Sequence, residues 1–402
     1  MAELQPLVSV VIPLHNGQRY VRQAIESALD QGVAPLEVIV VDDASTDGSP
    51  GTVRRYGERV RYIRVEKQPS SMATTNVGLE TAAGKYIAVL HQDDYFLPGK
   101  LLRHVAQMER DPSIGFAYSG QWFVGPRGEP LSKLRSPLRR GDYVVDGVVE
   151  MRHLAVQNFL NFCNVVVRRS AMQQVGLLHD QLWVIADWGM WLRLALRNRV
   201  AYIDELLVCY RIHGGAQTLT RTQQPQEWER QVRIVIDELF AEPDLPRAVR
   251  ERRPLTEASL QLSVALLSGL RRDWREAWHS GRSVVRLVGW RQMPGFVHSS
   301  SVVPRLLPRA KVIRLQHAED SSTMAGDPEL LRCAHCGAIA GYPASAARSN
   351  GTAPAGQRGL RMRCLACGFS WTAGPPGEAK AEPGPEGSAT QEPPRRIVIR
   401  NE

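Results

Sequence analysis

Three apolar, β-branched runs that each stop at polar or acidic residues constrain this chain more than any other feature. They are Val8–Asn16 (VSVVIPLHN), Glu37–Gly48 (EVIVVDDASTDG) and Ala88–Asp94 (AVLHQDD). Runs of this kind read as buried parallel strands. In open α/β sheets, ligands bind outside the carboxyl ends of the strands. Two of the three ends carry carboxylate pairs, Asp42-Asp43 and Asp93-Asp94. Acids paired there point first to a metal-dependent nucleotide site. A dinucleotide oxidoreductase is disfavoured, because no G-x-G-x-x-G follows the first run.

The intervening segments read as helices. Residues 18–29 put Val21, Ile25, Ala28 and Leu29 on one face, and Gln31-Gly32 closes that helix. Ser45, Thr46 and Asp47 are candidate N-caps for a helix over 49–56, and residues 75–83 form another that Gly84 stops. Further strands are expected at 60–65, 85–90, 116–124, 164–167 and 201–212. Strand–helix alternation on this scale predicts a doubly wound sheet. Residues 187–196 (DWGMWLRLAL) read as an amphipathic helix with an acid at its start, and 225–290 as mainly helical, with Trp228, Val232, Val235 and Leu239 at helical spacing.

Taken in order, VSVVIPLHN, VIVVDDASTDGS, NVGLETAAGKYIAVLHQDD, IADWGMWLRL and YRIHGG resemble the motifs of family 2 glycosyltransferases of the GT-A fold, over about residues 7–220. The resemblance implies an α/β fold with a GT-A type doubly wound mixed sheet and a nucleotide-diphosphate sugar as donor. Pro13 and His15 would lie beneath the base, where many relatives carry an aromatic at the His15 position. Asp43 would accept the imide N–H of uracil or a related base; the alternative is that Asp42 and Asp43 merely cap the following turn. Asp94 would hold Mn2+ or Mg2+, a hard cation suited to carboxylate oxygens, and Asp93 would contact ribose or sugar. Asp187 would be the general base, although the family's usual Glu-Asp is here Ala186-Asp187 and His91-Gln92 replaces an acid and a small residue. His213 would add a metal or diphosphate ligand, and Arg211 would pair with phosphate oxygens. Trp188 and Trp191 either stack on acceptor sugar or belong to the core. The absence of a Q-x-x-R-W signature after Asp187 favours addition of a single sugar, with inversion, to a glycan or lipid-linked acceptor.

The C-terminal part adds two features. Cys333-x-x-Cys336 and Cys364-x-x-Cys367, each followed by glycine (Gly337, Gly368), look like the paired knuckles of a zinc ribbon, four thiolates suiting structural Zn2+. The 27 residues between the pairs exceed usual spacing, so the loop from Tyr342 to Gly359 should protrude. Cys163 and Cys209 read as buried thiols. Of the net charge of +9, residues 271–314 supply +8, with ten Lys/Arg against Asp273 and Glu276, and Trp274, Trp278, Trp290 and Phe296 lie among them. That combination suits an anionic membrane interface, or else a solvated helical face over core tryptophans.

The expected organisation is a GT-A domain at 1–224, a helical, basic, membrane-associating segment at 225–316, a zinc-ribbon-like module at 317–373 and a disordered tail at 374–402, where Gly, Pro and Glu dominate. With no signal peptide and no apolar run of spanning length, the chain is expected to be cytoplasmic and peripheral at the membrane's inner face. A catalytically weak GT-A-like scaffold and a nucleic-acid-binding protein using the ribbon and basic segment are the alternatives. The second leaves the acidic strand ends without purpose.

Overall fold

Apolar side chains on both faces bury β1 (Val8–Leu14) in the middle of a mixed sheet, and every one of its residues is buried. The structure is a computed structural model that describes residues 5–183, 185–215, 225–300, 302, 333, 335–336, 341–343, 360–373 and 379–380. α1 (Val21–Leu29) leads to β2 (Leu36–Asp43), α2 (Ser49–Arg54), β3 (Arg61–Val65), α3 (Ser71–Thr81) and β4 (Tyr86–Val89). β2 and β4 flank β1 and β3 pairs β2, all in parallel, as the alternation of signals requires. The helix expected at 75–83 begins earlier, because Ser70 Oγ accepts from Ala73 N at 3.1 Å and caps it. Gly78 lets α3 lie directly on the sheet: a Cβ there would come within 2.3 Å of Val11 Cγ1.

Next come β5 (Tyr95–Phe96), α4 (Lys100–Glu109), β6 (Ile114–Val124), β7 (Pro130–Leu134), β8 (Tyr143–Val145), α5 (Gly147–Leu154), β9 (Val165–Arg168), α6 (Arg169–Val175), α7 (Ala186–Arg197) and β10 (Arg199–Arg211). The sheet runs β3-β2-β1-β4-β9-β6-β10-β5, with β7 on β6 and β8 on β10. β9 is antiparallel to both β4 and β6, which makes the sheet mixed. The expected fold class is therefore found, and the short elements β5, β7 and β8 lay below the reach of hydrophobic periodicity.

The helices that follow are α8 (Pro225–Ala241), α9 (Arg247–Arg250), α10 (Arg253–Leu270), α11 (Trp274–Val288) and α12 (Met293–Ser299). Val232, Val235, Ile236 and Leu239 of α8 join the main core, so this helix completes the α/β layer. α10, α11 and α12 share a smaller cluster of Ala258, Val284, Val288 and Phe296. A second, antiparallel sheet contains β11 (Gly341–Pro343), β12 (Leu360–Cys364), β13 (Ser370–Ala373) and β14 (Ala379–Lys380). Most of the expected protruding loop and tail, and the basic residues from Arg305 to Arg314, lie outside the described residues, whereas β14 falls within the segment expected to be disordered.

Glu150 of α5 is fully buried against Tyr118 and Tyr143, with Tyr118 Oη donating to Oε1 at 2.6 Å. Burial pushes its carboxyl up to about 7, against the pull of the two tyrosine hydroxyls. The folded protein thus holds a proton there that the unfolded chain gives up near 4.5. Stability from this group is complete below that value and is lost as pH rises to 7, by about 3 kcal/mol in all. Urea unfolding of Glu150→Gln at pH 5 and pH 8 should lack that part of the wild-type pH dependence. Identical pH slopes in both proteins would refute the assignment.

Candidate active site

The carboxyl ends of β1, β2 and β4 open into a cavity of about 390 Å³, closed on the far side by the start of α7. Pro13, His15, Asp43, Asp93, Asp187 and His213 all line it. Six of the residues singled out from sequence therefore meet in one place, from five separated segments of chain.

Neighbouring strand residues point to opposite faces, and this divides the first acid pair. Asp42 is turned inward, where it accepts from Ser45 N at 2.9 Å, Tyr62 Oη at 2.5 Å and Arg64 Nη1 at 2.8 Å. It fixes the turn. Asp43 faces the cavity, and its oxygens accept from Gln68 N at 2.6 Å and Lys67 Nζ at 2.5 Å. His15 is tethered beside it, Nδ1 lying 2.7 Å from the Asp43 carbonyl oxygen. The side-chain amide of Gln92 bridges back to the backbone N–H and C=O of His15, at 2.7 and 3.1 Å. The Gln92 that departs from the family pattern thus ties the end of β4 to the end of β1.

The second pair also divides. Asp93 lines the cavity, and its Oδ2 lies 2.9 Å from His213 Nε2. Burial alone would raise its pKa, but the His213 hydrogen bond and charge, together with His91, hold it below the ordinary value. Asp94 is only 2% exposed and sits beneath, with Oδ1 accepting from Arg211 N at 2.8 Å. Burial and the Asp93 charge raise its pKa well above the usual carboxylate range. Its Oδ2 is buried without a nitrogen or oxygen partner, near the Cys163 thiol. One donor atom each from His91, Asp93 and Asp94 lie within 4.8 Å of one another. Two carboxylates, one of them with an orphaned oxygen, fit a hard divalent ion.

Arg211 calls for a correction. It was expected to reach phosphate, yet it is 2% exposed and does not line the cavity. Its guanidinium donates to the carbonyls of Asp93 (2.8 Å), Gly125 (3.2 Å) and Pro126 (3.0 Å) and to Gln23 Oε1 (2.5 Å), above the Tyr20 ring. With its donors so engaged, it orders the strand ends. Trp188 and Trp191 are core residues: Trp188 Nε1 donates to Leu154 O at 2.8 Å, and Trp191 packs on Phe116 and Phe162. Trp183, before α7, lines the cavity with Phe162 and Met72 instead. Helical periodicity could not find Trp183, which precedes the helix; nor could it find Lys67, whose one signal is its place just past β3.

Asp187 opens α7 and lines the cavity. Its Oδ1 accepts from Trp188 N at 2.8 Å and Asn158 Nδ2 at 3.2 Å, so Asn158 stands beside the acid where the family's companion carboxylate is missing.

Away from the cavity, the sulfurs of Cys333, Cys336, Cys364 and Cys367 lie within 4.8 Å of one another, with Cys333–Cys367 at 3.6 Å and Cys336–Cys364 at 3.7 Å. Disulfide sulfurs stand about 2.05 Å apart, whereas four sulfurs at about 2.3 Å from one ion stand about 3.8 Å apart. The four thiols fit a tetrahedral ion. Ala366 N–H points at Cys364 Sγ (3.3 Å), and Gly368 takes the left-handed turn, with φ of 76°.

Residues 9–153 match the family model for glycosyl transferase family 2. The chain is 30% identical over 221 residues to TuaG of Bacillus subtilis, a glycosyltransferase named for teichuronic acid biosynthesis, covering 53% of this chain and 81% of that one. It is 27% identical over 226 residues to an uncharacterized glycosyltransferase of Rickettsia prowazekii, covering 56% and 70%. Among solved structures, S. aureus TarS 1–349 in complex with UDP-GlcNAc superposes with a TM-score of 0.53 at 16% identity, over 77% of this chain and 91% of that one. The Pyrobaculum calidifontis mannosyltransferase PcManGT, in complex with GDP-Man and Mn2+, gives 0.50 at 15% identity, over 80% and 89%. At such identities the structures establish a shared fold.

Replacing Arg211 by methionine keeps an unbranched apolar stem but strands the four acceptors of the guanidinium. Chemical denaturation should show a loss of about 3 kcal/mol or more. A loss near zero would mean that these strand ends do not depend on the guanidinium.

Proposed function

From the premise that this chain belongs to glycosyl transferase family 2, we propose that its cavity takes a nucleoside-diphosphate sugar and passes the single sugar, with inversion, to a glycan or lipid-linked acceptor. The observation that carries the proposal is the convergence of Asp43, Asp93 and Asp187 on one cavity. Asp43 accepts a base N–H with the lone pairs that Lys67 and Gln68 leave over, a preference that leans to uridine or thymidine. Pro13 and the tethered His15 form the floor under the base. A base lacking that donor would leave a buried carboxylate short of a partner, which is how the site would discriminate.

Mn2+ or Mg2+ would be held by Asp93 and Asp94 with His91, and when bound it neutralises the charge that develops on the diphosphate leaving group. His213 orients Asp93 through their hydrogen bond. Asp187 takes the proton of the acceptor hydroxyl as that oxygen attacks from the face opposite the diphosphate. Asn158 holds the carboxylate in place for this, and Trp183 and Phe162 give the acceptor side an apolar wall.

The relative named for teichuronic acid biosynthesis supports an acceptor in cell-envelope polysaccharide. No helix among the described residues is long and apolar enough to cross a membrane. A peripheral contact is supported by α11 and the turn after it, where Trp274, Trp278 and Trp290 are 69%, 67% and 78% exposed among Arg271, Arg275, Arg282 and Arg291. Exposed tryptophans set among cations suit an anionic lipid interface. The divisions at residues 224, 316 and 373, and structural Zn2+ on the four cysteines, are part of the same proposal.

Two measurements test it. Release of nucleoside diphosphate from a panel of nucleotide sugars should require Mn2+ or Mg2+, and Asp187→Asn should lower kcat by about 10²–10⁴-fold with nucleotide binding kept. Full turnover by that variant would remove Asp187 from the role. In sedimentation with vesicles, the chain should prefer anionic to neutral lipid, and Trp274→Ala/Trp278→Ala should weaken that binding. Equal partition between the two lipids would discard the membrane contact.

A further inference from the structure

The cysteine module packs against the back of the nucleotide site. Cys333, Met362 and Cys364 form one buried cluster with Tyr95, Leu97, Val124 and Cys209 of the main sheet, flanked by Trp122, Leu365 and Phe369. The sheet residues are those next to the acid-bearing ends. Tyr95 directly follows Asp94, Cys209 lies two residues before Arg211, and Val124 precedes Gly125, whose carbonyl accepts from Arg211. β5 is a two-residue edge strand paired with β10 at Val208↔Phe96 and Cys209↔Tyr95, with Leu97 N donating to Leu207 O at 2.9 Å just beyond. Two pairings hold a strand weakly, and a short edge left uncovered would fray. On its inner side, Arg211 lies over the Tyr95 ring at 5.3 Å; on its outer side lie Met362 and Cys364.

We propose that the four-cysteine site is a metal-dependent brace for the strand ends that carry Asp93, Asp94 and Arg211, so that loss of its metal loosens the nucleotide site. A soft ion bound tetrahedrally by four thiolates, of the zinc type, clamps the hairpin of β12 and β13 to the segment holding Cys333. That clamp presents Cys333, Met362 and Cys364 together as one apolar face. Without the ion, the Cys333–Cys336 segment keeps the stack of His335 on Phe369 and the β11–β12 pairings that follow it, but its two sulfurs lose their common centre with those of the hairpin. The face then loses its fixed shape, and β5 keeps its short ladder on β10, the bond from Phe96 N to Ser27 Oγ, and Arg211. The effect on nucleotide affinity rests on the function proposed above; the brace itself does not.

The test uses the full chain, purified with zinc, and the variants Cys336→Ser and Met362→Ser. Three quantities are measured: bound zinc per chain, amide hydrogen exchange across residues 93–97 and 207–213, and affinity for UDP and for GDP with Mn2+. Wild type should hold about one zinc. Cys336→Ser should lose it, exchange faster at 93–97 and 207–213 while β1 stays protected, and bind nucleotide about tenfold more weakly, in the range of indirect effects on such sites. Met362→Ser should keep the zinc yet exchange faster in the same two segments, which a metal site that merely folds its own module would not cause. Should Cys336→Ser unfold throughout, Met362→Ser alone decides. Wild-type exchange at 93–97 and 207–213 in a zinc-free chain, or in Met362→Ser, would overturn the brace, as would a wild-type chain that holds no zinc. A wild type that binds neither nucleotide would fail the functional reading instead, and the exchange result would still decide the brace.

Discussion

The buried guanidinium of Arg211 is the contact on which the cavity's geometry rests. It gathers the carbonyls of Asp93, Gly125 and Pro126 and the side chain of Gln23 around one planar cation, between the rings of Tyr20 and Tyr95. These groups belong to two loops and a helix that are far apart in sequence. A planar fork with five donors can serve such scattered acceptors, whereas the ammonium of a lysine, with three donors about one point, could not. The same residue's backbone N–H holds Asp94. Burying this charge costs desolvation that only nearly complete hydrogen bonding offsets. The arrangement is therefore all-or-none, and loosening one strand end loosens the rest.

Both acid pairs follow one plan. One member is buried and fixes the backbone, and the other faces the cavity. Asp42 holds a turn with Arg64 and Tyr62 behind it, and Asp94 holds Arg211. This leaves Asp43 and Asp93 each with a protein partner of opposite or variable charge, Lys67 and His213. Two like charges side by side in a dry site would otherwise repel. Each partner thus sits at the carboxylate that a base donor or a cation would meet.

The sheet was legible in the sequence because its strands are long, apolar and alternate with helices, and the cavity because its acids stand at strand ends. Asp43 and Asp93 could be named for that reason, and His15, Asp187 and His213 through the motifs that resemble the family's. The role of Arg211 could not, since its acceptors are mostly backbone carbonyls, which leave no mark on residue type. Nor could the division of labour among the tryptophans. Trp188 and Trp191 share a helix with the acid and looked like its neighbours, but helical rotation turns both into the core. Trp183 reaches the cavity from the turn before α7. The packing of the cysteine module on β5 was equally hidden, since a two-residue strand offers too few positions for a periodic signal.

That short strand explains why a zinc-ribbon-like module could become attached to an enzyme of this fold. A longer β5 would make its own ladder and need no cover. A two-residue strand leaves the acid pair on the sheet's edge, where backbone groups fray most easily. Tyr95 and Cys209 then offer apolar surface just where support is wanted, and the ring and thiol are already buried by Met362 and Cys364. Support of this kind depends on a rigid partner, because a flexible one must first pay the entropy of its own ordering. Four thiolates on one ion would meet that need in a chain segment too small to build a large core of its own. The metal's contribution to the reaction would then be mechanical: it would keep the carboxylates still while the cation and diphosphate meet them.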